Sequence, residues 1–122
     1  DEEAASLLAP YLSEVAERRE DRMMLGAMGL EKTPRRALLG VLGILQAAVR
    51  DAIFVSKALP QKPLQPALRK QTQALAGAVS TERLLAVYDF IDVLIDRVSR
   101  NAASAAVTCA LTSDIYRICY AS

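Results

Sequence analysis

The chain has 122 residues, 52% of them hydrophobic and 5% aromatic, with 15 basic against 14 acidic side chains and a net charge of +1. That length is one domain of ordinary size, able to bury roughly two thirds of the surface its unfolded chain exposes. Histidine is absent, which excludes imidazole bases, His metal ligands and Ser-His-Asp relays, and near-neutral charge argues against a free-standing nucleic-acid binder, which gathers Lys and Arg to replace phosphate counterions.

Ala and Leu dominate the apolar half, and small smooth side chains at that density favour helix. The chain opens at Asp1 inside a helical pattern, with no N-cap in front of it, and reads as an excised fragment. Over residues 1–30 the reading is a set of lead-in helices. From Glu2 to about Arg22, Ala4, Ala5, Leu8, Leu12, Val15 and Ala16 recur at helical spacing, opposite Glu14, Glu17, Arg18, Glu20 and Asp21. Pro10 is expected to kink or split this segment. Met23 to Leu30, with Gly26 and Gly29 as breakers, gives a short helix and a turn.

The main helices are predicted at 33–59, 66–78, 81–100 and 102–120. Thr33-Pro34 marks the first, with Thr as cap and Pro at the first helical position. Leu38, Leu42, Leu45, Val49 and Ile53 lie in register there, and Ala37, Val41, Ala48 and Ala52 widen the stripe, so this helix belongs at the centre of a bundle. Its most apolar run, Ala37 to Val49, is about 13 residues where a membrane span needs about 20, and it reads as a core helix. Gly40 and Gly43 inside it suggest a close helix crossing. Leu59-Pro60 is expected to end it, and Pro60, Pro63 and Pro66 make a stiff connection to a more polar helix that buries Leu68, Leu75 and Ala76.

Ser80 then caps the best amphipathic stretch in the chain. Leu84, Val87, Tyr88, Ile91, Leu94, Ile95 and Val98 form its stripe, while Asp89, Asp92, Asp96 and Arg100 line the other face. Asn101, tolerant of left-handed backbone angles, marks its end. The last helix is read as carrying Ala106, Cys109, Ala110, Ile115 and Ile118 inward, with a flat alanine start at Ala102, Ala103, Ala105 and Ala106. Cys109 and Cys119, roughly 15 Å apart along one helix, are beyond disulfide reach and read as buried reduced thiols in a cytosolic protein. The acidic start Asp1, Glu2, Glu3 is unlike an export signal.

These elements add up to an all-α fold, a bundle of five or six helices in a single domain. Candidate chemistry is sparse. Asp89, Asp92 and Asp96 share a helical face and could in principle hold a divalent metal, although a charged solvated face is the better reading of carboxylates opposite an apolar stripe. The five glycines never form a phosphate-cradling loop, so neither cofactor nor nucleotide is expected. The basic cluster Arg18, Arg19, Arg22, Lys32, Arg35 and Arg36 is interleaved with acids and reads as a salt-bridged face, with a nucleic-acid accessory role as the weaker option. Arg50-Asp51, a charged pair after a nearly apolar run, marks either the end of burial or a contact with a neighbouring chain.

The stretches ALLGVLGILQAAVRDAIFVSKAL (Ala37 to Leu59) and STERLLAVYDFIDVLIDRVSRN (Ser80 to Asn101) carry a resemblance. A leucine-rich helix running into Arg50-Asp51, then a capped Ser-x-Glu-x-Leu-Leu helix ending in Arg100-Asn101, then a final helix, resembles the C-terminal collar domain of bacterial DNA polymerase III clamp-loader subunits. The likeness is greatest to the delta-prime branch, while gamma or tau subunits share the domain and delta subunits have a related one. The resemblance implies a non-catalytic, post-AAA+ oligomerisation domain that packs against other clamp-loader subunits, gamma/tau and delta, in a collar during DNA replication. Sliding clamp and primed DNA would be reached only through that complex, in the cytoplasm and without a membrane. Arg50, Asp51, Arg100 and Asn101 are its candidate subunit-interface residues.

Overall fold

The computed structural model describes residues 2–60, 62–101 and 104–121, and these are helical, with no strand among them. The elements are α1 (Glu2–Ala16), α2 (Glu20–Met28), α3 (Arg35–Ser56), a 3-10 turn (Pro66–Leu68) leading into α4 (Arg69–Ala78), α5 (Thr81–Ser99), and a last helix. That last helix is built from α6 (Ser104–Cys109), a π-helical turn (Ala110–Asp114) and α7 (Ile115–Tyr120). The predicted all-α bundle is the fold. Its apolar side chains form one continuous core.

α3 is the centre. It packs along α5, α4 and α1, because Leu38, Leu42, Leu45, Val49 and Ile53 bury one face and Val41, Ala48 and Ala52 extend it. The helix is 22 residues and, by length and composition alone, apolar enough to cross a membrane, longer than the run read from sequence. Half of that apolar window is buried inside the bundle. α3 and α5 run antiparallel: the Ser56 and Thr81 hydroxyls bond to each other where one helix ends and the other begins, and Gln46 donates to the Tyr88 carbonyl and to Asp92 farther along. Ser80 caps α5 as expected, its Oγ accepting the Arg83 amide at 3.3 Å. Of the α5 stripe, Leu84, Val87, Ile91, Leu94 and Val98 are buried, and Tyr88 and Ile95 are partly buried against them.

Three helices end on a left-handed residue that is not glycine: Arg18 (φ 60°), Ala58 (φ 53°) and Asn101 (φ 73°). Each such residue other than Gly costs about 1–2 kcal/mol, less for Asn. At Arg18 and Ala58 the capping bonds are complete. Arg19 N reaches Glu14 O while Arg18 N reaches Val15 O, and Leu59 N reaches Phe54 O while Ala58 N reaches Val55 O, which satisfies carbonyls that a helix end would otherwise leave open. These caps correct two boundaries. The first helix stops at Ala16, not near Arg22, so Gly26 falls inside α2. α3 stops at Ser56, ahead of the Leu59-Pro60 step.

Other local expectations also change. Pro10 does not split α1: the carbonyl deprived of its amide is that of Ser6, which is exposed and open to water. Pro34 is the residue before α3 rather than its first, with an extended ψ of 147°, so Thr33 sits one position too far out to cap. Ala37 is exposed, and Gly40 and Gly43 face outward, where an added Cβ meets nothing within 4 Å. Inside this chain they make no close crossing. Gly40→Ala and Gly43→Ala therefore gain helix propensity without a clash, and each raises stability by about 1 kcal/mol. Thermal melts of the two variants would show it, and a fall in midpoint would contradict the outward placement.

The last helix departs most from its reading. Val107, Leu111, Ile115 and Cys119 are buried at four-residue spacing, which in a regular helix drifts by about 40° per step. The wider π-helical turn takes up that drift and keeps the row facing inward. As a result Ala106 and Cys109 are exposed, and of the two thiols only Cys119 is buried. Both cysteines are free. Ala105 is exposed as well, while Ala102 and Ala103 lie outside the described residues.

Candidate functional site

The four candidate interface residues fall into two places. Asp51 is buried, and its carboxylate accepts the Leu64 amide at 2.9 Å and the Gln65 amide at 2.8 Å. Arg50 pairs with it at 3.1 Å, donates to the Lys62 carbonyl and lies 4.0 Å over the Phe54 ring. The physical reason is in the connection: a proline-rich segment forms no ladder of its own, so its amides need an acceptor, and α3 supplies one. The Arg50-Asp51 pair thus ties the chain to itself. Arg100 and Asn101 stand past the opposite end of the α3–α5 pair. Arg100 makes an exposed bond to Asp96 at 3.3 Å, and Asn101 takes the left-handed position that closes α5.

The aspartate row is dispersed. Asp92 accepts from Gln46 at 3.1 Å, Asp96 is held by Arg100, and Asp89 has no ion-pair partner among the described residues. Among the described residues no group of three or more His, Cys, Asp or Glu side chains is placed to hold a metal ion. The basic cluster is also divided. Arg18 stacks 4.5 Å over the Tyr120 ring and Arg19 pairs with Glu17 at one end of α2, whereas Lys32, Arg35 and Arg36 follow its other end.

A second constellation, not singled out in the sequence, joins α1 to the last helix. Tyr11 donates its hydroxyl to the Leu111 carbonyl at 2.6 Å, and Tyr120 donates to the Val15 carbonyl at 2.6 Å. Arg83 adds a bond to the Ile118 carbonyl at 3.1 Å. Burial holds the Tyr11 hydroxyl far above its ordinary range. It also pushes the Cys119 thiol up to about 11, against the pull of Arg83, and the Tyr120 hydroxyl up to about 12. These groups clamp the C-terminal helix to α1 and α5.

The shifts give the clamp a pH signature. Folded Cys119 and Tyr120 keep protons that the unfolded chain releases, so stability falls as pH rises between their ordinary and shifted values. The contribution is whole below about pH 8.5 and drains away from about 9 to 11 for the thiol, then to about 12 for the phenol. Thermal midpoints should be level near neutrality and drop above about pH 9, with Cys119→Ala flattening the first part of that drop. A profile of Cys119→Ala identical to the parent would remove the thiol from the explanation.

A groove of about 660 Å³ lies between the start of α1, the α2–α3 turn and the outer flank of α3. Leu7, Ala37, Gly40 and Ile44 give it an apolar wall, and Lys32 and Arg36 stand on its rim. Sequence reading put Ala37 in the core stripe, although the spacing of 37, 40 and 44 was the available signal for a second apolar flank. Several large apolar side chains are exposed elsewhere, among them Leu25 at 71%, Leu64 at 54% and Val93 at 47%. No family model, curated protein or solved structure matches this chain.

Proposed function

We propose that the chain is a collar-type oligomerisation domain of a bacterial DNA polymerase III clamp loader, most like that of the delta-prime subunit. The observation that supports it is apolar surface in excess of one core: Leu7, Leu25, Leu64, Leu85 and Val93 stand exposed around a bundle whose interior is already filled. Exposed apolar faces rimmed by charge are what interaction modules present. In this reading the domain is non-catalytic, works in the cytoplasm without a cofactor, and buries its helical faces against gamma/tau and delta subunits. Clamp and primed DNA are then reached through the assembled loader. Collar domains of gamma/tau or delta subunits are the alternatives within the same architecture.

Light scattering of the chain mixed with the collar domains of those partner subunits tests it. A complex of defined stoichiometry is expected. If no mixture gives a mass above the separate components, the clamp-loader reading falls.

A further inference from the structure

We propose that the pocket between the end of α3, the proline-rich connection and α4 binds a small apolar carboxylate, a short aliphatic or aryl-alkyl acid. The pocket holds about 200 Å³, below the roughly 300 Å³ at which drug-sized ligands begin to fit, so its ligand is a short one. Phe54, Val55, Leu59 and Pro63 give it an apolar wall. α4 adds Arg69 and Gln73, one turn apart, and neither side chain has a hydrogen bond or ion pair among the described residues. The planar guanidinium fork matches a carboxylate through two parallel bonds, and the Gln73 amide supplies a further donor.

Two devices of the fold shape this pocket. Ala58 takes a left-handed conformation, φ 53°, that is uncommon for a residue with a Cβ. Its amide bonds the Val55 carbonyl and the Leu59 amide bonds that of Phe54, so the chain turns back over the end of α3 and Leu59 joins the wall. Backbone strain of this kind concentrates at ligand sites. The second device is Asp51, which holds the Leu64 and Gln65 amides and with them the adjoining Pro63. Asp51 lines the pocket too, but its charge is matched by Arg50 at 3.1 Å and both of its oxygens already accept amides, which leaves Arg69 as the uncompensated charge of the lining. The Thr72 hydroxyl is committed to the Arg69 carbonyl at 2.9 Å. One arginine beside an apolar wall selects one negative charge on an apolar body: a phosphate monoester brings a second charge that this lining does not match, and a neutral ligand gains nothing from the fork. The inference goes beyond the clamp-loader reading and stands without it, because every group in the pocket belongs to this chain.

An amide chemical-shift titration of the 122-residue chain with phenylpropionate tests it. Saturable shifts centred on Phe54, Leu59, Arg69 and Gln73 are expected, with a dissociation constant on the order of 1 mM, which a ligand of about eleven non-hydrogen atoms supports. Phenylpropanol, the same body without the charge, should bind about tenfold or more weakly, and so should phenylpropionate to Arg69→Gln. Arg69 is exposed and has no partner among the described residues, so this variant should melt with the parent, and melting curves separate lost binding from lost fold. An absence of saturable shifts at the pocket overturns the proposal, as do equal affinities for the acid and the alcohol, or an Arg69→Gln chain that binds the acid like the parent. No partner subunit enters the titration, so the clamp-loader reading is decided separately, by the mixing experiment above.

Discussion

Asp51→Ala is expected to lower the thermal midpoint by more than about 10 °C, given about 3–5 kcal/mol for one partner lost from a buried charge network and about 4 °C per kcal/mol at this chain length. The carboxylate is the acceptor for two backbone amides, Leu64 and Gln65, and for Arg50. Removing it strands both amides and takes the ion-pair partner from a partly buried guanidinium, which keeps its bond to the Lys62 carbonyl and its place over Phe54. Asp51→Asn should lose less, about half as much. The Leu64 amide reaches one carboxylate oxygen and the Gln65 amide the other, so an asparagine can serve one amide and turns a donor toward the other. Arg50→Ala should lose less than Asp51→Ala, about 1–3 kcal/mol, because the Asp51 carboxylate keeps its two amide donors while the bonds from Arg50 to Asp51 and to the Lys62 carbonyl are lost. Calorimetric melts of the three variants set the order. A midpoint for Asp51→Ala within a degree or two of the parent would mean that the connection is not held by this carboxylate in solution.

That ordering matters for the surface as well as for stability. Val55 and Leu59 are exposed before the pinned segment and Leu64 within it. Release of the connection would therefore rearrange an apolar patch, and limited proteolysis near residues 57–65 should accelerate in Asp51→Ala. A local opening of this kind leaves the α3–α5 packing in place, since those helices are joined through their own buried stripes.

α5 was legible from the sequence because independent signals agreed: Ser80 caps it, its apolar stripe repeats without a break, and Asn101 closes it in the left-handed conformation anticipated for asparagine. The core half of α3 was legible for the same reason. What sequence could not show were places where the chain departs from local preference. Arg18 and Ala58 occupy a conformation that propensity assigns to glycine, so the ends of α1 and α3 carry no glycine signal. The last helix takes a π-helical turn to hold a four-residue row inward, and regular periodicity then assigns Ala106 and Cys109 to the wrong side. Arg50-Asp51 reads as the end of burial or as a contact with a neighbouring chain, because a charged pair after apolar residues usually faces outward. The partners of Asp51 are amides in a segment that has no periodicity at all. Gly40 and Ala37 were misplaced because a stripe wide enough to surround a helix hides the fact that it is two stripes, one for this chain's core and one for its outer flank.

The two flanks of α3 should answer substitution with opposite sign, and Leu45→Ala is the sharpest way to show it. Leu45 is 1% exposed where α1, α3, α4, α5 and α7 converge, against Leu12, Leu75, Leu84 and Ile115. The void already there is only about 10 Å³ and its walls are almost wholly apolar, so the removed side chain leaves a dry cavity rather than a hydrated one. A loss of about 3–5 kcal/mol follows, or a midpoint lower by about 12–20 °C. Gly40→Ala on the other flank should gain about 1 kcal/mol. A Cβ at Gly40 meets nothing within 4 Å, so the double variant should equal the sum within about 0.5 kcal/mol. A coupling larger than that would place Gly40 against the core after all. A Leu45→Ala loss below about 1 kcal/mol would mean that the five helices collapse around the gap, and that this junction is softer than its burial implies.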